Sequence, residues 1–178
     1  MKFKAELLTE IDLERCLKRL SHEIIENCDL SNAVLVGIKT RGLPIAKTLA
    51  SNIKTFADVD VPVGEMDISL YRDDLTTLND QAVLNQSNLN FPIQGKDIIL
   101  VDDVIYTGRT VRAAIEGIFS KGRPNKIMLA VLVDRGHREL PIRGDFVGKN
   151  VPTSKKELIA VHLASIDGKN NVELWDRD

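Results

Sequence analysis

Three continuous apolar runs constrain the fold of this 178-residue chain more than any other feature. They span residues 33–38, 98–101 and 127–133, and stretches with helical spacing separate them. Continuous apolar runs are typical of strands that are buried on both faces, and helices between such strands supply the crossovers of a parallel sheet. The sequence therefore predicts an α/β fold in which a central parallel sheet is flanked by helices.

Local signals place three helices in this predicted fold. Thr9 and Asp12 have the spacing of a capping box, and apolar residues then recur at helical spacing through Asn27. A second helix is predicted over 43–54, with a proline in its first turn, where no hydrogen bond is lost. A third helix is predicted over 110–120, followed by a glycine and a proline that end it.

Two less regular regions complete the predicted organisation. Residues 61–70 predict an extended region that is broken near Gly64. The polar segment 71–94 has little periodicity and predicts a long mobile loop or an irregular hairpin. Because no repeat or Pro-rich linker interrupts the chain, residues 1–178 predict a single domain, within which 139–161 form a small subdomain over the site.

Composition narrows the class of protein. The hydrophobic fraction of 43% argues against disorder, and no apolar stretch approaches the roughly 18 to 20 residues that span a bilayer. The first residues lack the apolar core of a signal peptide, so we expect a cytoplasmic protein with no membrane partner. The net charge of −2 argues against general nonspecific nucleic-acid binding but is compatible with a local basic face. Cys16 and Cys28 lack CxxC spacing, which predicts buried reduced thiols rather than a disulfide or a zinc site.

Polar turns follow each of the three apolar runs. Ligands of parallel sheets bind beyond the carboxyl ends of the strands, so these turns are predicted to form one site. Residues 107–110 open a helix, whose first N–H groups and dipole suit a phosphate. Asp102 and Asp103 lie where the strand is predicted to end and suit the hydroxyls of a phosphorylated sugar. Strands that end in Asp before a helix cap also occur in α/β proteins that bind no sugar phosphate.

The second run carries a specific resemblance. Residues 98–110, with two acids before Tyr106 and a Thr-Gly-Arg-Thr turn after it, resemble the phosphoribosyl pyrophosphate signature of type I phosphoribosyltransferases. Over almost its full length, the chain resembles the family of bifunctional pyrimidine operon attenuators and uracil phosphoribosyltransferases. The resemblance implies the type I phosphoribosyltransferase fold, with a small hood region around 135–161 and a mobile loop. The motifs that carry it are Lys39-Thr40-Arg41-Gly42, Leu70-Tyr71-Arg72-Asp73-Asp74-Leu75, residues 133–143 and residues 148–154.

The resemblance implies a reaction in which uracil displaces pyrophosphate from phosphoribosyl pyrophosphate and so forms UMP. Such a transfer passes through an oxocarbenium-like centre, so electrostatic stabilisation of the departing pyrophosphate is the expected main effect. Mg²⁺ is the implied cofactor, because it prefers oxygen ligands of the kind that pyrophosphate and ribose supply.

The resemblance also assigns site residues by position. Asp102 and Asp103 would hold the ribose hydroxyls, directly or through Mg²⁺, and are therefore also the candidate metal ligands. Arg41 would receive the pyrophosphate, and Arg72 would reach it when the loop closes; alternatively, both arginines are solvated surface charges. The implied substrate-binding residues are Thr40, Arg41, Asp103, Val104, Ile105, Tyr106, Thr107, Gly108, Arg109, Thr110, Val111, Arg135 and Ile159.

Tyr106 bears on the choice of base. In relatives that use 6-oxopurines, the corresponding position carries Asp, which can assist a purine ring nitrogen, whereas a phenol is largely protonated at neutral pH. Tyr106 therefore favours a pyrimidine. Arg135 and backbone groups around Ile159 and Ala160 are the implied nucleobase contacts, although Arg135 could instead pair with Asp134. A phosphoribosyltransferase of unrelated base specificity is the weaker alternative.

The resemblance implies a second role, in which the protein binds pyrimidine operon leader mRNA when UMP or UTP is abundant and promotes transcription termination. Exposed arginines and lysines are usually only solvated, so the alternative is a salvage uracil phosphoribosyltransferase with weak or no RNA regulation. Relatives often have Thr and Arg where this chain has Lys18 and Asn27, and the missing cation at Asn27 would weaken or alter RNA binding. The family also implies a homodimer or a higher homo-oligomer. The implied RNA-binding residues are Lys18, Arg19, His22, Arg138, Arg143 and Lys149.

Overall fold

The computed structural model describes residues 1–69 and 87–177, and these residues form eight strands and four helices. The strands are β1 (Lys2–Leu8), β2 (Ala33–Ile38), β3 (Val63–Met66), β4 (Asp97–Ile105), β5 (Lys126–Asp134), β6 (Phe146–Asn150), β7 (Glu157–His162) and β8 (Asn171–Asp176). The helices are α1 (Glu10–Asn27), α2 (Gly42–Ala57), α3 (Arg109–Phe119) and α4 (Ala164–Asp167).

The larger sheet has five strands in the order β3-β2-β4-β5-β6, and all four strand pairs are parallel. Every residue of β2 is buried, as are the first six residues of β4. A strand in the middle of such a sheet has helices over both faces, and its sequence is therefore apolar without alternation. The predicted central parallel sheet flanked by helices is confirmed.

Helices cover the two faces of this sheet and divide the core into two clusters. On one face, α1 and α2 bury leucines and isoleucines against β2, β4 and β5. On the other face, α3 packs against the same three strands, together with Ile68 and Ile93. The predicted capping box is present, because Thr9 Oγ1 accepts a hydrogen bond from the Asp12 N–H and Asp12 Oδ2 accepts one from the Thr9 N–H. A cap of this kind stabilises a helix by about 1 kcal/mol.

Strand β4 is longer than its apolar run. It continues through Ile105, so Asp102 and Asp103 lie inside the strand rather than beyond its end, and Asp102 is paired in register with Val131. Periodicity could not show this extension, because two carboxylates resemble the end of a buried strand. The carboxylates nevertheless lie near the carboxyl end of the strand, as predicted.

Part of the predicted loop over 71–94 has defined contacts. Residues 70–86 lie outside the described residues. Asn88 forms an antiparallel bridge with Glu65 of β3, and the side chain of Ile93 is buried in the core beside α3. The last residues of that segment are therefore fixed against the larger sheet.

A second, smaller sheet is antiparallel and has the order β1-β8-β7. It joins the two ends of the chain, since Lys2 is paired with Asp176. The predicted hood region around 135–161 contains β6, which belongs to the larger sheet, and most of β7, which belongs to the smaller one. No sequence signal marks β1, because most of its residues are exposed and its partner strand lies at the other end of the chain.

The two cysteines agree in part with the prediction of buried reduced thiols. Both cysteines are free thiols, with Cys16 buried and Cys28 half-buried, and burial raises the pKa of each.

None of the helices within residues 1–69 and 87–177 combines the length and the apolar character needed to cross a membrane.

Candidate functional site

Two adjoining cavities lie at the carboxyl ends of the parallel strands. The first, of about 360 Å³, is bounded by the turn between β2 and α2, by the end of β4 and by the residues after β3. The second, of about 290 Å³, lies along the turn between β4 and α3. Asp102, Val104 and Thr110 line both cavities, so the two form one continuous site. Two of the three predicted turns, those after β2 and β4, therefore line one site, and the turn after β5 reaches it only through the contact of Arg135 with Tyr106.

Asp102 and Asp103 face this site with different environments. Asp102 is buried, and its Oδ1 accepts a hydrogen bond of 2.9 Å from the Asp103 N–H. Burial and the neighbouring Asp103 carboxylate raise the pKa of Asp102 well above its ordinary value. Asp103 is half-buried, and its Oδ1 accepts a hydrogen bond of 2.8 Å from the Val104 N–H. The pair therefore combines a carboxyl that resists ionisation with one that is more exposed.

The turn between β2 and α2 packs directly against β4. Gly42 opens α2, and a Cβ atom at this position would lie 2.2 Å from the carbonyl oxygen of Val101. A glycine is therefore required at this position by the close approach of two backbones. The contact holds Lys39, Thr40 and Arg41 beside Asp102, and all three residues line the first cavity.

The turn between β4 and α3 has the geometry of an anion site. Gly108 is the residue before the helix, with a left-handed φ of 94°, and the Thr107 hydroxyl accepts a hydrogen bond of 3.3 Å from the Arg109 N–H. The guanidinium of Arg109 forms an ion pair with Glu139 at 2.9 Å. The predicted residues Tyr106–Val111 all line the second cavity.

Arg135 joins the residues after β5 to this turn. Its guanidinium lies over the ring of Tyr106, 4.0 Å from the ring centroid, which is a cation–π contact. Its Nε donates to the Thr153 hydroxyl and its Nη2 to the Ser154 carbonyl, each at 3.0 Å. Burial lowers the pKa of Arg135 from its ordinary value. The structure thus disfavours the alternative in which Arg135 pairs with Asp134, whose Oδ1 accepts from the Gly136 N–H instead.

The structure places the side chain of Ile159 away from the cavities. It is buried in the hydrophobic cluster under α1 and α2, and Ile159 lines neither cavity. Arg41 reaches the same strand, because its Nε donates to the Val161 carbonyl at 2.7 Å. Arg72, the remaining predicted catalytic residue, lies outside the described residues.

Some lining residues were not anticipated from the sequence. Asp67 and Ser69 face the first cavity, and Asp67 Oδ1 accepts a 3.0 Å hydrogen bond from the Ser69 N–H. Hydrogen bonds from the Ser69 hydroxyl and N–H lower the pKa of Asp67. The Asp-x-Ser spacing after an extended segment is the signal that could have identified them.

The carboxylates at the site suit Mg²⁺ only together with a ligand. Asp67, Asp102 and Asp103 line the first cavity, and carboxylate oxygens are ligands that Mg²⁺ prefers. Within 1–69 and 87–177, however, no three His, Cys, Asp or Glu side chains come close enough to hold a metal by themselves. A Mg²⁺ ion at this position therefore needs further oxygen ligands, which a pyrophosphate group and ribose hydroxyls would supply.

A separate basic groove lies between α1 and β6. This groove has a volume of about 450 Å³, and Arg15, Arg19 and Lys149 line it together with Asp12. The guanidinium of Arg19 donates to the Gly148 carbonyl, and Lys149 Nζ donates to the Leu7 carbonyl at 3.3 Å. The structure thus brings together two of the residues that the resemblance assigns to RNA.

The other four predicted RNA-binding residues lie outside the lining of this groove. Lys18 forms an ion pair with Glu14 at 2.6 Å, and the ring of His22 is stacked on Phe56 at 4.3 Å between centroids. Arg138 and Arg143 are exposed in the connection between β5 and β6. Arg15 is the groove residue that the sequence analysis missed, although its position four residues before Arg19 on a helix was a visible signal.

Comparisons with known proteins agree with this geometry. The family model of the phosphoribosyl transferase domain matches residues 5–166. A hypoxanthine phosphoribosyltransferase from Staphylococcus aureus has a similar fold, with a TM-score of 0.74, 21% identity and coverage of 97% of this chain and 92% of that chain. A hypoxanthine-guanine phosphoribosyltransferase from Bacillus anthracis has a TM-score of 0.73 at 20% identity, and 98% of each chain is covered. The chain belongs to the phosphoribosyltransferase family.

Within this family, some curated relatives are identical to this chain at about half of the aligned positions. Bifunctional protein PyrR from Clostridium novyi is 54% identical over 178 residues, which cover 99% of this chain and 100% of the relative. Bifunctional protein PyrR from Thermus thermophilus is 52% identical, with coverage of 100% of this chain and 99% of the relative. The predicted family and the predicted type I phosphoribosyltransferase fold are confirmed.

Proposed function

We propose that this protein transfers the phosphoribosyl group of phosphoribosyl pyrophosphate to uracil, and that it binds pyrimidine operon leader mRNA when UMP is bound. The observation that carries the proposal is the continuous site formed by the two cavities, in which two phosphate-suited turns flank a pair of carboxylates. A ligand with a phosphate on one side of a ribose and a pyrophosphate on the other side matches that order. The names of the relatives, which describe a bifunctional protein, support two activities.

In the proposed complex, the 5′-phosphate lies at the start of α3. The backbone N–H groups there lack helical partners, and the Thr107 and Thr110 hydroxyls lie beside them. The ribose hydroxyls donate to the carboxylates of Asp102 and Asp103. Pyrophosphate lies against the turn of Thr40 and Arg41, and Arg72 is proposed to approach it from the other side. The site then stabilises the charge of the departing pyrophosphate, which is the main requirement of the reaction.

Mg²⁺ fits this arrangement as an ion shared between the protein and the substrate. When bound, it supplies positive charge to the leaving pyrophosphate. Asp102 and Asp103 would hold it directly or through the ribose oxygens. Burial raises the pKa of Asp102. A neighbouring cation would oppose this shift, because it favours the ionised form of the carboxyl.

Uracil is the proposed base because of Tyr106, which lines the second cavity, and the residues that surround its ring. Tyr106 stands where purine-specific relatives carry Asp, and the Arg135 guanidinium packs against its ring. The hydrogen bonds of Arg135 to Thr153 and Ser154 hold that guanidinium in place, and the backbone near Ile159 and Ala160 is the proposed partner of the pyrimidine edge. We also propose that residues 1–178 form a single domain, in which the region around 135–161 is the hood.

Leader mRNA is the proposed partner of the basic groove. Phosphate contacts by lysine and arginine dominate the affinity of such complexes and make it sensitive to salt. The groove residues Arg19 and Lys149 are proposed to make such contacts, and Lys18, His22, Arg138 and Arg143 are proposed to extend the RNA surface beyond the groove. Leader mRNA and phosphoribosyl pyrophosphate are cytoplasmic molecules, so we propose that the protein is cytoplasmic. We also propose that it acts as a homodimer or a higher homo-oligomer.

A gel-shift titration with pyrimidine leader RNA, with and without UMP, tests the regulatory role. We expect UMP to strengthen binding, and we expect Arg19→Gln and Lys149→Gln each to weaken the UMP-bound complex about tenfold. Each substitution should also reduce the slope of log affinity against log salt by about one, as the loss of one phosphate contact requires.

Lys121→Gln is the matched control, because this exposed lysine follows α3 on the opposite face of the larger sheet. It should bind RNA like the unmodified protein. If UMP does not enhance specific binding while uracil turnover is normal, the salvage enzyme without RNA regulation is the correct description.

A further inference from the structure

Arg41 connects the two sheets of the molecule. Its backbone belongs to the turn between β2 and α2, and its side chain extends to the smaller sheet. Nε donates to the Val161 carbonyl of β7 at 2.7 Å, and Nη2 donates to Asp167 Oδ1 of α4 at 2.9 Å. A guanidinium has five N–H donors, so these two contacts leave others for a ligand in the cavity.

Asp167 is itself held in place from its own side of the contact. Its Oδ2 accepts a 2.9 Å hydrogen bond from the Leu163 N–H, and its side chain is only 19% exposed. The Leu163 hydrogen bond and the charge of Arg41 lower the pKa of Asp167, which keeps its carboxylate ionised at neutral pH. The Asp167 carboxylate is therefore held by the backbone as well as by Arg41.

A cluster of polar side chains lies behind Asp167, and its hydrogen bonds centre on Glu173. His162 Nδ1 lies 4.0 Å from Asp167 Oδ1, and His162 Nε2 lies 3.3 Å from Glu173 Oε2. Glu173 is buried and also accepts from Lys169 at 2.7 Å and from Trp175 Nε1 at 2.9 Å. The hydrogen bond from Lys169 contributes most to a pKa of Glu173 of about 2. The cluster fixes the end of β7 to β8 through side chains as well as through strand pairing.

The position of this contact matters because β7 also carries the backbone near Ile159 and Ala160. Val161, whose carbonyl accepts from Arg41, follows these residues in the same strand. The strand proposed to meet the nucleobase is thus hydrogen-bonded to the turn proposed to meet the pyrophosphate. Arg41 is the residue that spans both.

We propose that Asp167 is a positioning residue that holds Arg41 between the turn and β7, and that this contact couples the binding of pyrophosphate groups to the binding of the base. The inference rests on the proposed function and deepens it. Coupling of this kind is reciprocal, so a variant that breaks the contact should weaken the binding of both ligands. Asp167 itself need not touch the substrate.

The test is a double-mutant cycle on the steady-state constants, with Asp167→Asn, Arg41→Lys and the double variant. Asparagine can still accept from the Leu163 N–H but lacks the charge that holds Arg41, and lysine cannot bond both partners with a planar fork. We expect Asp167→Asn to raise KM for phosphoribosyl pyrophosphate about tenfold and also to raise KM for uracil, with a smaller change in kcat. The double variant should be no worse than the poorer single variant, because both substitutions break one contact.

Asp60→Asn is the matched control, since Asp60 pairs with Lys54 at 3.0 Å in an exposed ion pair away from the site. Removing an exposed pair of this kind has little effect, so both KM values should be unchanged. Asp167→Ser is the second variant if asparagine impairs folding, because its hydroxyl can cap Leu163 but is too short to reach Arg41.

Two results would overturn the inference. The first is an Asp167→Asn protein with a lower melting temperature but unchanged KM values, which is the behaviour of a purely structural residue. The second is additive effects in the double variant. An unmodified protein without uracil turnover would instead contradict the proposed function, so the two failures are distinguishable.

Discussion

Replacing Asp102 and Asp103 together with asparagine is expected to lower the rate of UMP formation by at least about 10³-fold, the scale on which loss of preorganised polar groups reduces turnover. Asp102 lines both cavities, and Asp103 lines the first. Without their charge, the ribose hydroxyls would lose the charged acceptors, and Mg²⁺ the carboxylate oxygens, that we propose for them. Steady-state turnover with uracil, phosphoribosyl pyrophosphate and Mg²⁺ measures the effect.

The same change is not expected to damage the fold. The amide oxygens of the two introduced asparagines can still accept from the N–H groups that the aspartates bond, and the circular dichroism spectrum should be unchanged. Asp145→Asn is a suitable control. Asp145 Oδ2 accepts a hydrogen bond from the Leu129 N–H, away from the carboxyl end of β5 and the site. Full activity in the double variant would show that the assignment of the ribose contacts to these residues is wrong.

Asp102→Asn alone should also stabilise the protein. Burial and Asp103 raise the pKa of Asp102, so the native state disfavours the ionised carboxyl relative to the unfolded chain. The contribution of Asp102 to native stability is therefore greatest below the ordinary aspartate pKa of about 3.9 and falls as the pH rises from there through the higher native pKa. The advantage of the asparagine variant should be small near pH 4 and grow towards neutral pH. A gain of about 1 kcal/mol would raise the melting temperature by about 2 to 4 °C in a chain of this size.

Gly42→Ala is expected to be among the most destabilising single substitutions in this chain. The added Cβ would lie 2.2 Å from the Val101 carbonyl oxygen, and neither partner is a flexible side chain that can move away. The turn and β4 must therefore separate, at a cost of about 3 kcal/mol, which is the upper end of the usual range for overpacking. This corresponds to a decrease of roughly 6 to 12 °C in melting temperature. Separation also moves Thr40 and Arg41 away from Asp102, so KM for phosphoribosyl pyrophosphate should rise.

Gly122→Ala provides the comparison for this substitution. The nearest atom to an added Cβ at this position is the Ile93 Cβ at 3.3 Å, and the backbone of Gly122 is not left-handed. Alanine there should change the free energy of unfolding by less than about 1 kcal/mol. If thermal unfolding gives equal midpoints for the two variants, the close contact between the turn and β4 does not exist in solution.

The larger sheet could be predicted from the sequence because its strands are buried on both faces. Such strands leave continuous apolar runs, and β2, β4 and β5 were each placed in this way. The smaller sheet could not be predicted, since β1 and β8 pair across almost the whole chain and β1 is largely exposed. Local periodicity carries no information about a partner strand so distant in the sequence.

The site was predictable as far as the turns, but not as far as the side chains. Glycines and short polar residues after apolar runs marked the turns of residues 39–42 and 107–110. Nothing in these motifs indicated that Arg109 would pair with Glu139, or that Arg41 would extend to Asp167. Those contacts depend on elements that come together only in the folded chain, including a four-residue helix that has too little sequence for a periodic signal.

The shared fold does not identify the base that this protein uses, whereas local residues bear on it. The hypoxanthine and hypoxanthine-guanine phosphoribosyltransferases with similar folds are 21% and 20% identical to this chain, a level at which likeness shows the fold alone. Tyr106 and its contact with Arg135 are local features, and the proposed choice of a pyrimidine rests on them.

A competition assay tests the central claim most directly. Uracil and hypoxanthine at equal concentration are incubated in one mixture with phosphoribosyl pyrophosphate, Mg²⁺ and the purified protein, and the nucleotide products are separated and counted. The account predicts that UMP is the dominant product. Faster formation of the hypoxanthine nucleotide would contradict it, because the site would then select a purine despite Tyr106.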